Sequence, residues 1–134
     1  MMRPKKTKFK KYHKIHIRNT YKKKSHLIYG KFGLVSCEGG IISDSQIQAC
    51  IMCIKRKLRR KGNLYVRVFP HIGVTKKPLE VRMGKGKGSV DHFATSIKSG
   101  SILFELDVQS ESIARTALRI AGSKLPFKSK ILIG

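Results

Sequence analysis

The stretch Ser43–Lys61 constrains the fold most, because it predicts a long helix with a single apolar face. Ser43 and Gln46 have the spacing of a capping box, and Asp44 suits the positive end of the helix dipole. Gly62 follows as the expected C-cap. The apolar residues at helical spacing are Ile47, Cys50, Ile51, Ile54 and Leu58. Such a helix needs another element on which to bury that face.

Alternating segments on both sides of this helix predict strands. They are 27–36, 63–69, 79–83, 93–97, 102–106 and 130–133, and Ile41-Ile42 is either a short strand or a hydrophobic staple. We expect 93–97 and 102–106 to form a β-hairpin across a Ser99-Gly100 turn, and 71–78 to be an irregular loop.

A second helix is predicted over Ser110–Ser123, with Ser110 as its N-cap. Its predicted apolar stripe is Ile113, Ala117, Ile120 and Ala121. The element order predicts an α+β domain over residues 27–134, with two helices packed on a mixed or antiparallel sheet, preceded by a basic arm over residues 1–26.

The charge of this chain points to a polyanionic partner. The chain has 30 Lys and Arg residues but only 7 Asp and Glu residues, so the formal net charge is +23 over 134 residues. Such an excess strains a compact state by self-repulsion unless an anion neutralises it. Because the charge is spread along the chain, RNA is the favoured partner. A membrane is not expected, since no apolar run approaches the ~20 residues of a spanning helix.

The N-terminal arm mixes cations with aromatic rings, a pattern that suits both phosphates and bases. The alternative is a solvated, disordered basic arm. The arm residues predicted to bind RNA are Arg3, Lys5, Lys6, Lys8, Phe9, Lys10, Lys11, Tyr12, His13 and Lys14.

Cations also crowd the end of the first predicted helix, where phosphate contact competes with simple solvation as the explanation. Lys55, Arg56, Arg59 and Arg60 are the predicted RNA contacts there, and Arg67 is a further one on the following strand.

A glycine-rich loop is the third candidate RNA contact. It comprises Arg82, Met83, Gly84, Lys85, Gly86, Lys87 and Gly88. Glycine permits φ > 0 and close approach of the backbone to a ligand. The spacing fits neither the P-loop nor the dinucleotide fingerprint, so no nucleotide cofactor is expected. Arg82, Lys85 and Lys87 are instead predicted to contact an extended phosphate backbone.

Catalysis is not expected, although a small RNA-processing or RNA-modifying enzyme is the alternative function. The seven acidic residues are scattered along the sequence, whereas acid–base or metal-ion catalysis requires such groups to be clustered. Cys50 and Cys53 have a CxxC spacing but no second pair of ligands, so we predict small buried hydrophobes and no metal site.

Several segments, in this order, resemble the large-subunit ribosomal protein L-sixteen family, whose archaeal and cytosolic members are called L-ten-e. The segments are 3–14, Arg67-Val68-Phe69-Pro70, 77–88 with its R-M-G-K-G-K-G run, and 121–126. The resemblance covers essentially the whole chain. It implies an α/β-hammerhead-like, non-catalytic protein bound to 23S-like ribosomal RNA.

The resemblance also implies a location near the aminoacyl-tRNA site, the peptidyl transferase centre and the 5S RNA region. The implied roles are tRNA positioning and late subunit assembly, with tRNA and neighbouring ribosomal proteins as partners. The loop of residues 82–88 is then the tRNA-proximal one. A Lys- and Ile-heavy composition without Trp further suggests an organellar ribosome, in a plastid rather than a mitochondrion, with a bacterial cytoplasm as the alternative.

Overall fold

In the computed structural model, the described residues are 2–13 and 26–134. Within these ranges the chain forms seven strands and two helices. In chain order they are β1 Phe32–Ser36, β2 Gly40–Ser43, α1 Asp44–Leu58, β3 Asn63–Val66, β4 Ile72–Lys76, β5 Ser89–Ile97, β6 Ile102–Asp107, α2 Glu111–Gly122 and β7 Ser129–Ile133. The α+β class with two helices is confirmed.

The strands divide between two antiparallel sheets. One has the order β3-β6-β1-β7 and the other β2-β5-β4. Helices α1 and α2 pack against each other, and α2 also contacts β1 and β7. The core between helices and strands contains Leu34, Ile47, Ile54, Phe104 and Leu118, all buried. The strand predicted over 130–133 is present as β7, at one edge of the four-stranded sheet.

The start of α1 is as predicted, whereas its predicted end is wrong. The Ser43 hydroxyl accepts from the Gln46 backbone N–H, and the Gln46 side chain accepts from the Ser43 N–H, which completes the capping box. The helix ends after Leu58, because Arg59 takes the left-handed conformation at φ 44° and becomes the C-cap. Gly62 lies outside the helix, where a Cβ would approach the Val108 side chain to 2.6 Å.

The predicted hairpin of 93–97 with 102–106 is wrong. β5 pairs with β2 and β4, whereas β6 pairs with β1 and β3 in the other sheet. The Ser99-Gly100 turn carries the chain from one sheet to the other, and the Gly100 N–H donates to the Ser36 carbonyl at 2.8 Å. β6 is an inner strand whose residues 103–106 are all buried, so it requires a partner on each edge.

The region between β3 and β5 also differs from the prediction. Residues 72–76, expected to be a loop, form β4 because they pair along β5 from Ile72↔Ala94 to Lys76↔Ser89. The strand expected over 79–83 is absent, since these exposed residues belong to the β4–β5 connection. That connection, residues 77–88, contains the glycine loop.

Four smaller expectations also need correction. Strand β1 begins at Phe32 rather than residue 27, and β3 ends at Val66. In α2 the buried face is Ala114, Ala117, Leu118 and Ala121, with Ile113 and Ile120 only half-buried at its edges. Ser110 occupies the N-cap position of α2, but its side chain makes no capping hydrogen bond.

Candidate nucleic-acid interface

The glycine loop is the exposed tip of the β4–β5 hairpin. Gly84, Lys85 and Gly86 take φ values of 99°, 54° and 85°, so three consecutive residues lie in the left-handed region. A Cβ on Gly84 or Gly86 would meet nothing within 4 Å, so the backbone conformation, not crowding, favours glycine there. Met83 is 99% exposed. An exposed tip on a paired hairpin suits a binding loop carried by a rigid scaffold.

The base of this loop is fastened to the hairpin that carries it. The Lys77 ammonium donates a hydrogen bond to the Gly84 carbonyl. A Cβ on Gly88 would lie 2.6 Å from the Lys76 carbonyl oxygen, so this glycine permits close approach of the two backbones. Of the three loop glycines, Gly88 is therefore the one required by packing.

The N-terminal arm lies against this loop through two reciprocal hydrogen bonds. The Lys11 ammonium donates to the Lys87 carbonyl at 2.7 Å, and the Lys87 ammonium donates to the Tyr12 carbonyl. The arm therefore uses one of the three N–H donors of the Lys87 ammonium. Among the described residues, neither Lys85 nor Arg82 has a side-chain hydrogen bond or ion pair, and both are exposed. Arm and loop together form what we call the arm–loop surface, residues 8–13 with 82–88.

The arm is attached to the domain at its start as well. Met2 packs against the core, and the Arg3 guanidinium donates to the Asp44 carboxylate at 2.9 Å. Further on, the Lys8 ammonium lies 5.5 Å from the centre of the Phe9 ring, which makes an edge contact with Tyr12. Tyr12 is half-buried, and Lys14 lies outside the described residues. The exposed members of the predicted arm set are Arg3, Lys5, Lys6, Lys8, Phe9, Lys10, Lys11 and His13.

The cations near the end of α1 form a separate group. Lys55 and Arg56 are exposed in the last helical turn, while Arg59 and Arg60 follow it at positive φ. Arg3 sits at Asp44, the first residue of the same helix. A helix of 15 residues is about 20 Å long, so these cations lie at the far end of α1 from the arm's attachment.

Arg67 makes an internal ion pair, in contrast to the other predicted cations. Its guanidinium pairs with Glu105, whose side chain is fully buried. The same carboxylate accepts from the backbone N–H groups of Ile28, Tyr29 and Gly30 at 3.1, 2.7 and 3.1 Å. Burial raises the pKa of Glu105, but these four donors outweigh it and hold the pKa below its ordinary value.

Two features of this region were missed from the sequence: the anchoring role of Glu105, and the Tyr29–Tyr65 pair, whose ring centres are 5.3 Å apart. A signal for the first was available. Glu105 is a lone acid within the otherwise apolar run Leu103-Phe104-Glu105-Leu106, and a buried acid requires a cationic or hydrogen-bonding partner.

A further basic surface lies beside α2. Arg115, Arg119 and Lys128 border a shallow depression of about 850 Å³ between α2 and β7. Arg115 also pairs with Glu111 one turn earlier. The sequence places Arg115 and Arg119 on one helix side, but not next to Lys128.

Within the part of the chain that the structure describes, no three His, Cys, Asp or Glu side chains are grouped to hold a metal ion. Cys50 is buried in the core, where its Sγ lies 3.5 Å from the Ala121 carbonyl. Burial raises the pKa of the Cys50 thiol to about 11. Cys53 is half-buried. These positions agree with packing roles for both cysteines. No helix in residues 2–13 and 26–134 has the length and hydropathy of a membrane span.

Comparison with known proteins identifies the family. The family model described as "Ribosomal protein L16p/L10e" matches residues 4–132. "Large ribosomal subunit protein uL16" of Ureaplasma urealyticum is 44% identical over 132 residues, covering 98% of this chain and 96% of that protein. The protein of the same name from Cereibacter sphaeroides is 47% identical over 133 residues, covering 99% and 97%. That of Acholeplasma laidlawii is 43% identical over 132 residues. The chain therefore belongs to the ribosomal protein L16p/L10e family.

Proposed function

We propose that this chain binds 23S-like ribosomal RNA near the aminoacyl-tRNA site and peptidyl transferase centre, where it helps to position tRNA and supports late subunit assembly. Its family membership confirms the coarser expectation, namely a structural constituent of the large ribosomal subunit, beside RNA and other ribosomal proteins, and not an enzyme. The alternative of an RNA-processing or RNA-modifying enzyme is therefore not pursued.

The observation that carries the finer proposal is the arm–loop surface. It brings two cationic segments, separated by about seventy residues of sequence, into direct contact through Lys11, Tyr12 and Lys87. Two positively charged segments repel each other unless an anion neutralises them, so their contact suits a polyanion at this surface. Cations that neutralise phosphates release counterions and bind RNA regardless of its sequence.

The tip of the loop supports a second ligand, the aminoacyl-site tRNA. Arg82, Met83 and Lys85 are exposed at the end of the hairpin, whereas the arm's hydrogen bonds with the loop are made to Lys87. The arm-side cations then face ribosomal RNA, and the tip faces tRNA. Lys85 is the loop cation that contacts tRNA, while Lys87 joins loop and arm. Proximity to the 5S RNA region remains part of the proposal and rests on the family resemblance.

We place the ribosome in an organelle, a plastid in preference to a mitochondrion. The support is compositional: the chain is rich in Lys and Ile and contains no Trp. The relatives named above are bacterial, so a bacterial ribosome is the alternative. The genome that encodes the chain decides between them.

Sedimentation followed by chemical probing tests the function. Cells in which this chain replaces their own family member should contain it in large subunits at moderate salt. Its presence should protect nucleotides of the aminoacyl-tRNA site. Lys85→Ala should reduce tRNA binding by these subunits, whereas Lys98→Ala, an exposed lysine at the β5–β6 turn, serves as the matched control. Recovery of the chain only in free soluble fractions would overturn the proposal.

A further inference from the structure

Residues 26–31 lie closely against the four-stranded sheet. A Cβ on Gly33 of β1 would lie 2.5 Å from the Leu27 side chain, so Leu27 covers that glycine. A Cβ on Gly30 would lie 2.4 Å from the Leu106 carbonyl oxygen of β6. At Gly30 the backbone therefore approaches strand β6 at a distance that only glycine permits. Tyr29 is positioned by this close packing.

A buried charge fixes the same segment. The Glu105 carboxylate on β6 accepts hydrogen bonds from three consecutive backbone N–H groups, from Ile28 to Gly30, and from the Arg67 guanidinium. A buried carboxylate is costly unless it is paired and hydrogen-bonded, and here both conditions are met. Such an anchor leaves Tyr29 little freedom to move away from the sheet.

The Tyr29 ring lies over two side chains of β3 and its extension. Its centre is 5.3 Å from that of Tyr65, with the ring planes 25° apart, and 5.4 Å from the Arg67 guanidinium carbon. Tyr65 and Arg67 are two residues apart on an extended chain, so both approach Tyr29 from the same face of the sheet. Tyr29 nevertheless remains 57% exposed, which leaves its outer side open to a ligand.

We propose that Tyr29, stacked on Tyr65 and fixed by the Arg67–Glu105 pair, is a platform for an unpaired RNA base. A rigid exposed aromatic face suits base stacking, which contributes about 1–3 kcal/mol per base and tolerates any sequence. The high positive charge of the chain favours RNA over a protein partner. The inference rests on the proposed RNA binding but assigns a second contact, distinct from the arm–loop surface.

Neighbouring groups can accommodate the rest of the nucleotide. Lys31, exposed and two residues beyond Tyr29 in sequence, supplies a positive charge for a flanking phosphate. Arg67 also borders a polar cleft of about 440 Å³, together with His26, Phe69 and His71. Because Glu105 neutralises Arg67, this arginine is a positioning residue and contributes little to phosphate attraction.

Two probes of equal charge separate stacking from electrostatics: a single-stranded RNA decamer and its abasic ribose-phosphate analogue. Wild type should bind the decamer about 5- to 150-fold more tightly than the analogue. Tyr29→Leu, which keeps apolar bulk but removes the ring, should lose several-fold of this preference while its affinity for the analogue and its salt slope stay unchanged. Tyr29→Phe should keep the preference.

Controls and a second measurement locate the contact. Phe9→Leu measures how much of the preference for the decamer comes from the aromatic ring of the arm. Glu105→Gln should also reduce this preference, because the Tyr29 ring is still present but is no longer held in place. Ultraviolet crosslinking of the wild type should label the peptide containing Tyr29.

The outcomes separate the two proposals. An unchanged preference in Tyr29→Leu, or crosslinks confined to residues 2–13, overturns the platform and leaves the proposed RNA binding intact. Failure of wild type to bind either probe at physiological salt overturns both. If Tyr29→Leu does not fold, crosslinking of the wild type still shows whether the peptide containing Tyr29 contacts RNA.

Discussion

The Arg67 guanidinium donates to the Glu105 carboxylate, and this pair joins β3, β6 and the segment before β1. Arg67 follows β3 directly, where its backbone N–H continues the ladder to the Leu103 carbonyl at 3.0 Å. The carboxylate lies at the centre of a small network with Ile28, Tyr29 and Gly30 as its other donors. A basic residue predicted to bind RNA therefore has an internal role that can be measured without RNA.

Glu105→Gln should lower the free energy of unfolding by about 3 kcal/mol, because it leaves Arg67 without its partner and weakens three backbone hydrogen bonds. Urea denaturation of the purified chain measures the change. Glu111→Gln is the matched control: it breaks an exposed i,i+4 pair with Arg115 and should cost at most a few tenths of a kcal/mol. Equal effects of the two substitutions would contradict the network.

The pH dependence of stability should report the same carboxylate. The folded-state pKa of Glu105 lies below its ordinary value of 4.5, so the unfolded chain takes up this proton first as the pH falls. The stabilisation is therefore complete above about pH 4.5 and is lost as the pH falls through the folded-state pKa. The difference in unfolding free energy between wild type and Glu105→Gln should shrink below pH 4.5. A constant difference from pH 7 to pH 3.5 would show that the carboxylate charge contributes nothing.

Local patterns predicted both helix starts and most of the strands, because these depend on neighbours in sequence. The capping box of Ser43 and Gln46 is an example. The same patterns failed for strand β4 at Ile72–Lys76 and for residues 79–83, which form no strand. The predicted end of α1 was wrong because Arg59, three residues before Gly62, takes the left-handed conformation that ends the helix. Strand pairing was missed for a different reason: β5 and β6 adjoin in sequence, but their partners are distant, and alternation alone does not choose among them.

In the candidate site, too, local features could be predicted from the sequence and contacts between distant residues could not. Cationic and glycine residues of the arm and loop were evident in the sequence, since their chemistry is local. Their contact through Lys11 and Lys87 was not, because it spans 76 positions and joins two like-charged segments. The platform depends on the same kind of non-local contact, between Tyr29 and Tyr65.

Two serines at helix N-cap positions make a matched stability test. Ser43→Ala should lower the free energy of unfolding by about 1 kcal/mol, because the Ser43 hydroxyl accepts from the Gln46 backbone N–H. Ser110→Ala should change it little, since the Ser110 side chain makes no capping hydrogen bond and, among the described residues, its hydroxyl hydrogen-bonds only with the Ser112 hydroxyl, at 3.2 Å. Thermal or urea unfolding compares the two variants. A larger loss in Ser110→Ala would show that capping is not the source of the effect.

Replacing the two loop lysines by alanine should have different effects, since Lys87 holds the arm and Lys85 does not. Lys87→Ala removes the donor to the Tyr12 carbonyl, so trypsin should cleave the arm near Lys10 and Lys11 faster than in wild type. Lys85→Ala should leave the cleavage rate unchanged, yet reduce aminoacyl-tRNA binding by assembled subunits and lower the salt slope by about one. Lys98→Ala should change neither the cleavage rate nor tRNA binding. Faster arm cleavage in Lys85→Ala, or normal tRNA binding in it, would contradict this division of roles.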